Sequence, residues 1–133
     1  MKTMIIRTDI TRTYKNNGQH LEQCFRYSLT GKIEKADNTP YDKGTDLFQY
    51  SIKSARATVC KGTDIKAHLE RDKATEFVYI TQTGTCYLMD RREYAEFVET
   101  FAEVTRESQK NGGAVKMRLR RETPKMLEWL AER

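Results

Sequence analysis

The sequence predicts an α+β domain in which helices flank a mixed β-sheet. Two periodicities indicate this class, because apolar residues recur at helical spacing in some segments and alternate with polar residues in others. The length of 133 residues gives room for one hydrophobic core. We therefore expect a single domain over residues 1–133, with residues 1–15 forming an edge strand or an N-terminal arm.

The first half of the chain predicts a helix followed by strands. Asn16 or Asn17 can cap the helix, and Gly31 ends it. Residues 32–43 favour a short strand and a long polar loop, since Asn, Pro and Gly interrupt them. Residues 50–60 alternate with many β-branched and small side chains, so they predict one strand near the centre of the sheet.

The middle of the chain predicts a short helix and a hairpin. Residues 62–64 provide a helix start, and the helix runs to about Lys73. Residues 76–81 and 85–89 are two apolar strands, and the Gln-Thr-Gly sequence at 82–84 between them is typical of a hairpin turn.

The last part of the chain predicts a helix, a strand and a helix. Asp90 and Glu93 form a capping box for the longest helix, which the Asn-Gly-Gly sequence at 111–113 ends. Residues 114–121 alternate apolar with basic side chains and predict a strand that has one basic face. Pro124 opens the last helix, with Thr123 as its cap. The long helix contributes an apolar stripe to the core, formed by Tyr94, Phe97, Val98, Phe101 and Val104 or Thr105.

Composition and charge favour a nucleic-acid partner inside the cell. The net charge of +5 suits a polyanion such as DNA. The three cysteines lie far apart without CxxC spacing, and only two histidines are present, so neither a zinc site nor a disulfide framework is expected. No apolar run has the length of a membrane span or of a signal segment. We expect a cytoplasmic protein that does not bind membranes.

Residues 46–53 carry the candidate active site. Ser51 and Lys53 stand two residues apart on the predicted strand, so their side chains share a face at a separation of about 6.6 Å. A fully extended chain would place Asp46 about 17 Å from Ser51 and on the opposite face. A bend at residues 47–49 is therefore required to bring Asp46 to the other two residues.

This pattern resembles the PD-(D/E)xK nuclease superfamily, to which many restriction enzymes belong. The core of that family runs helix, three strands, helix and strand, and its active residues are a helix Glu, an Asp, and a (D/E)-x-Lys strand. Residues 18–90 are similar in the order of their predicted elements, with Glu22, Asp46 and Ser51-Ile-Lys53 at the matching positions. The resemblance implies a restriction-endonuclease-like core.

The resemblance also implies a small metal-dependent endonuclease that hydrolyses phosphodiester bonds in DNA. Asp46, Glu22 and the backbone carbonyl of Ile52 would hold Mg²⁺ or Mn²⁺. Lys53 would orient or deprotonate the attacking water, or neutralise the transition state. One such site cuts one strand, so cleavage of both strands would call for a homodimer. Contacts to backbone phosphates would come from basic residues, namely Arg56, Lys61, Arg118 and Arg120.

Ser51 departs from the family pattern, because an Asp or Glu is expected there. By analogy with restriction enzymes that carry Ser-x-Lys, Glu70 or Asp64 would supply the missing carboxylate, and Glu22 is the other replacement. A second hypothesis is a nuclease-like protein that has lost catalysis and binds nucleic acid, or acts as an inhibitor encoded on a mobile element. A third is a plain protein-interaction domain, in which Arg118 and Arg120 are only the solvent face of an edge strand.

Overall fold

The computed structural model describes residues 1–9, 17–31 and 50–133. Its helices are α1 (Asn17–Thr30), α2 (Ile65–Arg71), α3 (Arg91–Phe101) and α4 (Pro124–Ala131). Its strands are β1 (Lys2–Ile5), β2 (Tyr50–Lys53), β3 (Thr58–Lys61), β4 (Glu76–Ile80), β5 (Thr85–Met89), β6 (Ala102–Arg106) and β7 (Val115–Leu119). A short 3₁₀ turn at Gln109–Asn111 joins β6 to β7. The predicted α+β class is confirmed.

The described strands form two sheets. Sheet I has the order β1-β5-β4-β2, and sheet II has the order β3-β7-β6. Strand β2 runs parallel to β4, whereas β1, β4 and β5 pair in antiparallel fashion, so sheet I is mixed. Sheet II is antiparallel throughout. The predicted N-terminal edge strand is confirmed, since β1 lies at one end of sheet I.

Helices cover both faces of sheet I. On one face, Leu21 and Phe25 of α1 pack with Val78 and Ile80 of β4. The other face carries the larger core, where α2, α3 and α4 bury their apolar stripes against Phe77 and its neighbours. Four residues predicted to form the core from α3 are confirmed as buried: Tyr94, Phe97, Val98 and Phe101. None of the described helices combines the length and apolar character that a membrane span needs.

The strand predicted over residues 50–60 is wrong as one element. It is two strands, β2 and β3, which belong to different sheets and are separated by a turn at residues 54–57. In that turn the N–H of Ala57 donates to the carbonyl of Ser54 at 3.2 Å, and Arg56 has a left-handed backbone with φ of 66°. Among the described strands, β2 is the outermost of sheet I and not a central one.

The helix predicted to reach residue 110 is also too long. Helix α3 ends at Phe101, and β6 follows at once and pairs with β7 from Ala102 opposite Leu119 to Arg106 opposite Val115. Val104 is 58% exposed and contributes nothing to the predicted apolar stripe. Helix α1, with 14 residues, is longer than α3, with 11.

Several local predictions are confirmed. Asp64 caps α2 by accepting the N–H of Ala67, and the capping box of α3 is present. The hairpin of β4 and β5 turns at Gly84, which has φ of +91° and donates its N–H to the carbonyl of Thr81. The predicted strand and loop over residues 32–43 lie outside the described residues, and so does Asp46.

A candidate active site at the end of two parallel strands

A cavity of about 570 Å³, here called the strand-end cavity, opens where the parallel strands β2 and β4 end. Strand β2 contributes Lys53, β4 contributes Ile80, and the first turns of α1 contribute Gly18 and Glu22. The turn at residues 54–57 completes the wall together with Arg118 of β7, and both Arg56 and Arg118 line the space. The beginning of a helix presents free N–H groups, which favour an anion.

Lys53 is the last residue of β2 and lines this cavity at the strand end, and Ile52 lines it as well. Ile52 packs on the α1 side of sheet I, whereas Lys53 stands opposite Tyr79 of β4 and shares its face. Ser51 stands opposite Phe77 on that same face, as the spacing predicts. Ser51 is half-buried and is not one of the described residues that line the cavity.

Glu22 and Lys53, although far apart in sequence, both line the strand-end cavity and act on each other electrostatically, while Glu22 also lies 3.7 Å from the guanidinium of Arg26. Burial raises the pKa of the Glu22 carboxyl, and the charges of Arg26 and Lys53 oppose that rise. Burial lowers the pKa of the Lys53 ammonium, and the carboxylates of Glu22 and Asp72 oppose the fall. Burial therefore disfavours the charged form of both groups, and their opposite charges offset part of that effect.

Strand β7 and the residue after it hold the backbone at Arg56, and the same contacts hold the side chain of Arg118. The Nε atom of Arg118 donates to the carbonyl of Arg56 at 3.0 Å. The N–H of Arg56 in turn donates to the carbonyl of Arg120 at 3.4 Å, and the N–H of Leu119 donates to the carbonyl of Ala57 at 2.9 Å. The turn that carries Arg56 is therefore held by hydrogen bonds to sheet II.

Other residues that the sequence singled out lie elsewhere. Glu70 is exposed on α2 and lines a separate shallow pocket beside Arg91, and Asp64 is occupied in capping α2. Lys61 is exposed on β3, opposite Lys116. Arg120 is exposed and stands 3.9 Å from a carboxylate oxygen of Glu103. Strand β7 is the central strand of sheet II, so its basic residues are not on an edge strand.

Asp72 is a neighbour of the site that sequence reasoning missed. It follows α2 immediately, and its carboxylate accepts the N–H of Ala74 at 2.9 Å. Its charge raises the pKa of Lys53, against the effect of burial. No motif surrounds Asp72; the available signal was its position just before the strand that pairs with β2.

The described residues alone do not make a metal site. No group of three or more His, Cys, Asp or Glu side chains in residues 1–9, 17–31 and 50–133 could hold a metal ion. Glu22 is the one described carboxylate residue that lines the strand-end cavity, against the cations Lys53, Arg56 and Arg118. Magnesium bound here would need Asp46 as a further ligand, whereas an anion suits the described charges directly.

Comparisons of the chain with protein-family models, with curated proteins and with solved structures give no match. The functional interpretation therefore depends on the residues of the chain itself.

Proposed function

We propose that this chain is a metal-dependent endonuclease of the PD-(D/E)xK type, which hydrolyses phosphodiester bonds in DNA at the strand-end cavity. The observation that carries the proposal is that Glu22 from α1 and Lys53 from β2 line one cavity rich in cations and act on each other electrostatically. The family core runs helix, three strands, helix and strand; the described elements α1, β2, β3, α2 and β4 follow that order with two strands between the helices, and β3 belongs to sheet II. A restriction-endonuclease-like core is part of the proposal.

Substrate binding follows from the charges of the cavity. A phosphodiester carries one negative charge, and the guanidinium groups of Arg56 and Arg118 can each offer paired N–H donors to its oxygens. The beginning of α1 adds further N–H donors on the opposite side of the cavity. These groups bind the DNA backbone without reading its sequence.

Lys53 has the properties of the residue that handles the proton. Its lowered pKa increases the fraction of neutral amine, which can accept a proton from the attacking water. Glu22 and Asp72 limit that fall and keep the ammonium available to stabilise charge on the phosphate after proton transfer. Mg²⁺ or Mn²⁺, held by Glu22 and Asp46 with the carbonyl of Ile52, would polarise the phosphate and lower the pKa of bound water.

The direct test is Lys53→Met, which keeps the aliphatic stem and removes the amine. We expect cleavage of plasmid DNA in Mg²⁺ or Mn²⁺ to fall by about 100-fold or more, because general acid–base groups contribute effects of that size. Lys125→Met, on the exposed side of α4, is the matched control and should cleave as the unchanged protein does. Cleavage at the normal rate by Lys53→Met would refute the assignment.

A second candidate function is nucleic-acid binding without catalysis, as in an inhibitor or regulator. The specific observations in its favour are Ser51 in place of a carboxylate and the single described carboxylate residue of the cavity. Calorimetric titration with Mg²⁺ and Mn²⁺ separates the two functions. Metal binding that Asp46→Asn and Glu22→Gln each weaken supports the nuclease. DNA binding without such metal binding supports the non-catalytic protein.

The subunit number is a further part of the nuclease proposal. Each chain has one strand-end cavity and would cut one strand at a time, so cleavage of both strands requires a homodimer on DNA. Sedimentation of the DNA complex should show two chains per site if the enzyme makes double-strand breaks. Products that carry only nicks, together with a single bound chain, would indicate a nicking enzyme.

A further inference from the structure

A second cavity, here called the arginine cavity, adjoins the strand-end cavity on the side of sheet II. It has a volume of about 480 Å³ and is bounded by β7, β6 and the segment before α4. Arg56 and Arg118 line both cavities, so the two spaces meet at these side chains. The arginine cavity adds two more guanidinium groups, those of Arg120 and Arg121.

The charge of the arginine cavity is poorly compensated. Glu103 is its one lining carboxylate residue among the described residues, and it stands 3.9 Å from Arg120 with both side chains about half exposed. Within the described part of the chain, Arg56, Arg118 and Arg121 have no carboxylate within ion-pair distance. Arginines crowded without counter-charges attract a polyanion, and their forked donors match phosphate oxygens.

The backbone at Arg56 is strained, and the strain falls where the two cavities meet. Its φ of 66° makes Arg56 the one described residue other than glycine with a left-handed conformation. Glycine adopts this conformation without steric cost, whereas a residue with a Cβ does not. Strained residues of this kind cluster at functional sites, where the surrounding structure enforces them. An arginine kept here places a cation between the two spaces.

We propose that the strand-end cavity and the arginine cavity form one groove for a continuous DNA strand, and that Arg56 binds the backbone between the phosphate to be cleaved and the next one. This inference rests on the proposed function and names its substrate more closely. The preferred substrate is a strand that extends beyond the cleaved bond on the side of Arg120 and Arg121. An isolated nucleotide occupies one cavity only and binds weakly.

The test measures binding in EDTA, where a metal-dependent enzyme cannot cleave. Fluorescence anisotropy with single-stranded oligodeoxynucleotides should give tighter binding to a 12-mer than to a dinucleotide. Arg56→Gly should weaken binding of the 12-mer by about tenfold, and lower the slope of log K against log salt by about 0.7. Its melting temperature should stay equal or rise, because glycine relieves the left-handed strain.

Three further variants make the result specific. Arg56→Lys keeps the charge and the strain but loses the forked donors, so it should weaken 12-mer binding less than Arg56→Gly does. Arg121→Gln, at an exposed position of the arginine cavity, should weaken the 12-mer but not the dinucleotide. Arg92→Gln, at an exposed position of α3 outside both cavities, is the control and should bind both probes normally.

The outcomes separate this inference from the proposed function. Normal 12-mer binding by both Arg56→Gly and Arg121→Gln would overturn the groove and leave the strand-end site standing. No binding of any oligonucleotide by the unchanged protein would overturn the proposed function, and the groove with it. Equal binding of polyglutamate, with the same dependence on Arg56, would assign the groove to an acidic protein instead of DNA.

Discussion

Two buried tyrosines allow a matched test of the core, because removing the same hydroxyl should have opposite effects. The hydroxyl of Tyr94 is buried and has no hydrogen-bond partner within the described part of the chain, while its ring stacks on Phe77 with centroids 4.7 Å apart. The hydroxyl of Tyr79 donates to Glu122 at 2.9 Å. Burial, with Glu122 adding to it, raises the pKa of Tyr79, so its hydroxyl remains a donor at neutral pH.

The magnitudes follow from these contacts. A buried hydroxyl without a partner costs about 1 to 3 kcal/mol, and Tyr94→Phe removes it while keeping the stacked ring. We expect the free energy of unfolding to rise by about 1 kcal/mol. Tyr79→Phe loses a hydrogen bond to a charged acceptor and should lower the free energy of unfolding by about 2 kcal/mol. In this variant Glu122 would still accept the N–H of Gln82 at 3.3 Å, which limits the loss of stability.

Urea unfolding followed by the fluorescence of Trp129 is a suitable assay, because this single tryptophan packs against Phe97 and Phe101 in the core. The two variants should differ by about 3 kcal/mol, with unchanged slopes against urea. A destabilised Tyr94→Phe would refute the reasoning, since it would show that the hydroxyl has a partner such as a bound water. An unchanged Tyr79→Phe would show that the Glu122 bond adds no stability.

Two further predictions concern charge at the site and the hairpin turn. Because the pKa of Glu22 is raised in the folded protein, ionisation of this carboxyl destabilises the fold as pH rises through that pKa. Glu22→Gln should therefore raise the free energy of unfolding at pH 7 by up to about 1 kcal/mol and leave it unchanged at pH 4. Urea titrations at the two pH values measure this difference. Gly84→Ala should lower the free energy of unfolding, measured by thermal unfolding, by about 2 kcal/mol or more, because the new Cβ would lie 2.7 Å from the carbonyl oxygen of Ile6. Gly62→Ala, which has a similar φ but open space around the Cβ, should cost only about 1 kcal/mol. Equal losses in the two variants would contradict the role of the Ile6 contact.

Local signals in the sequence predicted most of the described helices and the hairpin. The caps at Asp64, Asp90 and Thr123 act through hydrogen bonds within a few residues, so they can be recognised without knowledge of the fold. The turn after β2 has no such signal, because Ser54-Ala-Arg-Ala57 contains no Gly, Pro or Asn. Hydrogen bonds from β7, far along the chain, hold that turn, and only the tertiary structure shows them.

The end of α3 illustrates the same limit. The apolar spacing continues helically past Phe101, yet pairing with β7 converts the next five residues into β6. β-Branched Val104 and Thr105 are compatible with that strand, and helical periodicity alone did not reveal it. Tertiary pairing therefore overrode a helical pattern that was locally consistent.

The candidate site was predictable in part. The resemblance placed Glu22 and Lys53 in one site, and the structure brings both to the strand-end cavity. The charge of Asp72 near Lys53, and the arginine cavity, depend on where helices and sheets meet, so no spacing in the sequence indicates them. The contribution of Asp46 stays a prediction, since this residue lies outside the described residues.

The hydrogen bond from Arg118 to the carbonyl of Arg56 links the positions of two cations that come from distant parts of the chain. The guanidinium of Arg118 cannot shift without breaking this bond, and a change in the backbone at Arg56 would move both the acceptor of that bond and the base of the Arg56 side chain. The position of the Arg118 cation is thus set by the main-chain geometry at Arg56 and by one side-chain contact. A residue inserted into this turn would displace the acceptor of Arg118 and the base of the Arg56 side chain at once, so the proposed groove depends on the length of the turn as much as on its composition.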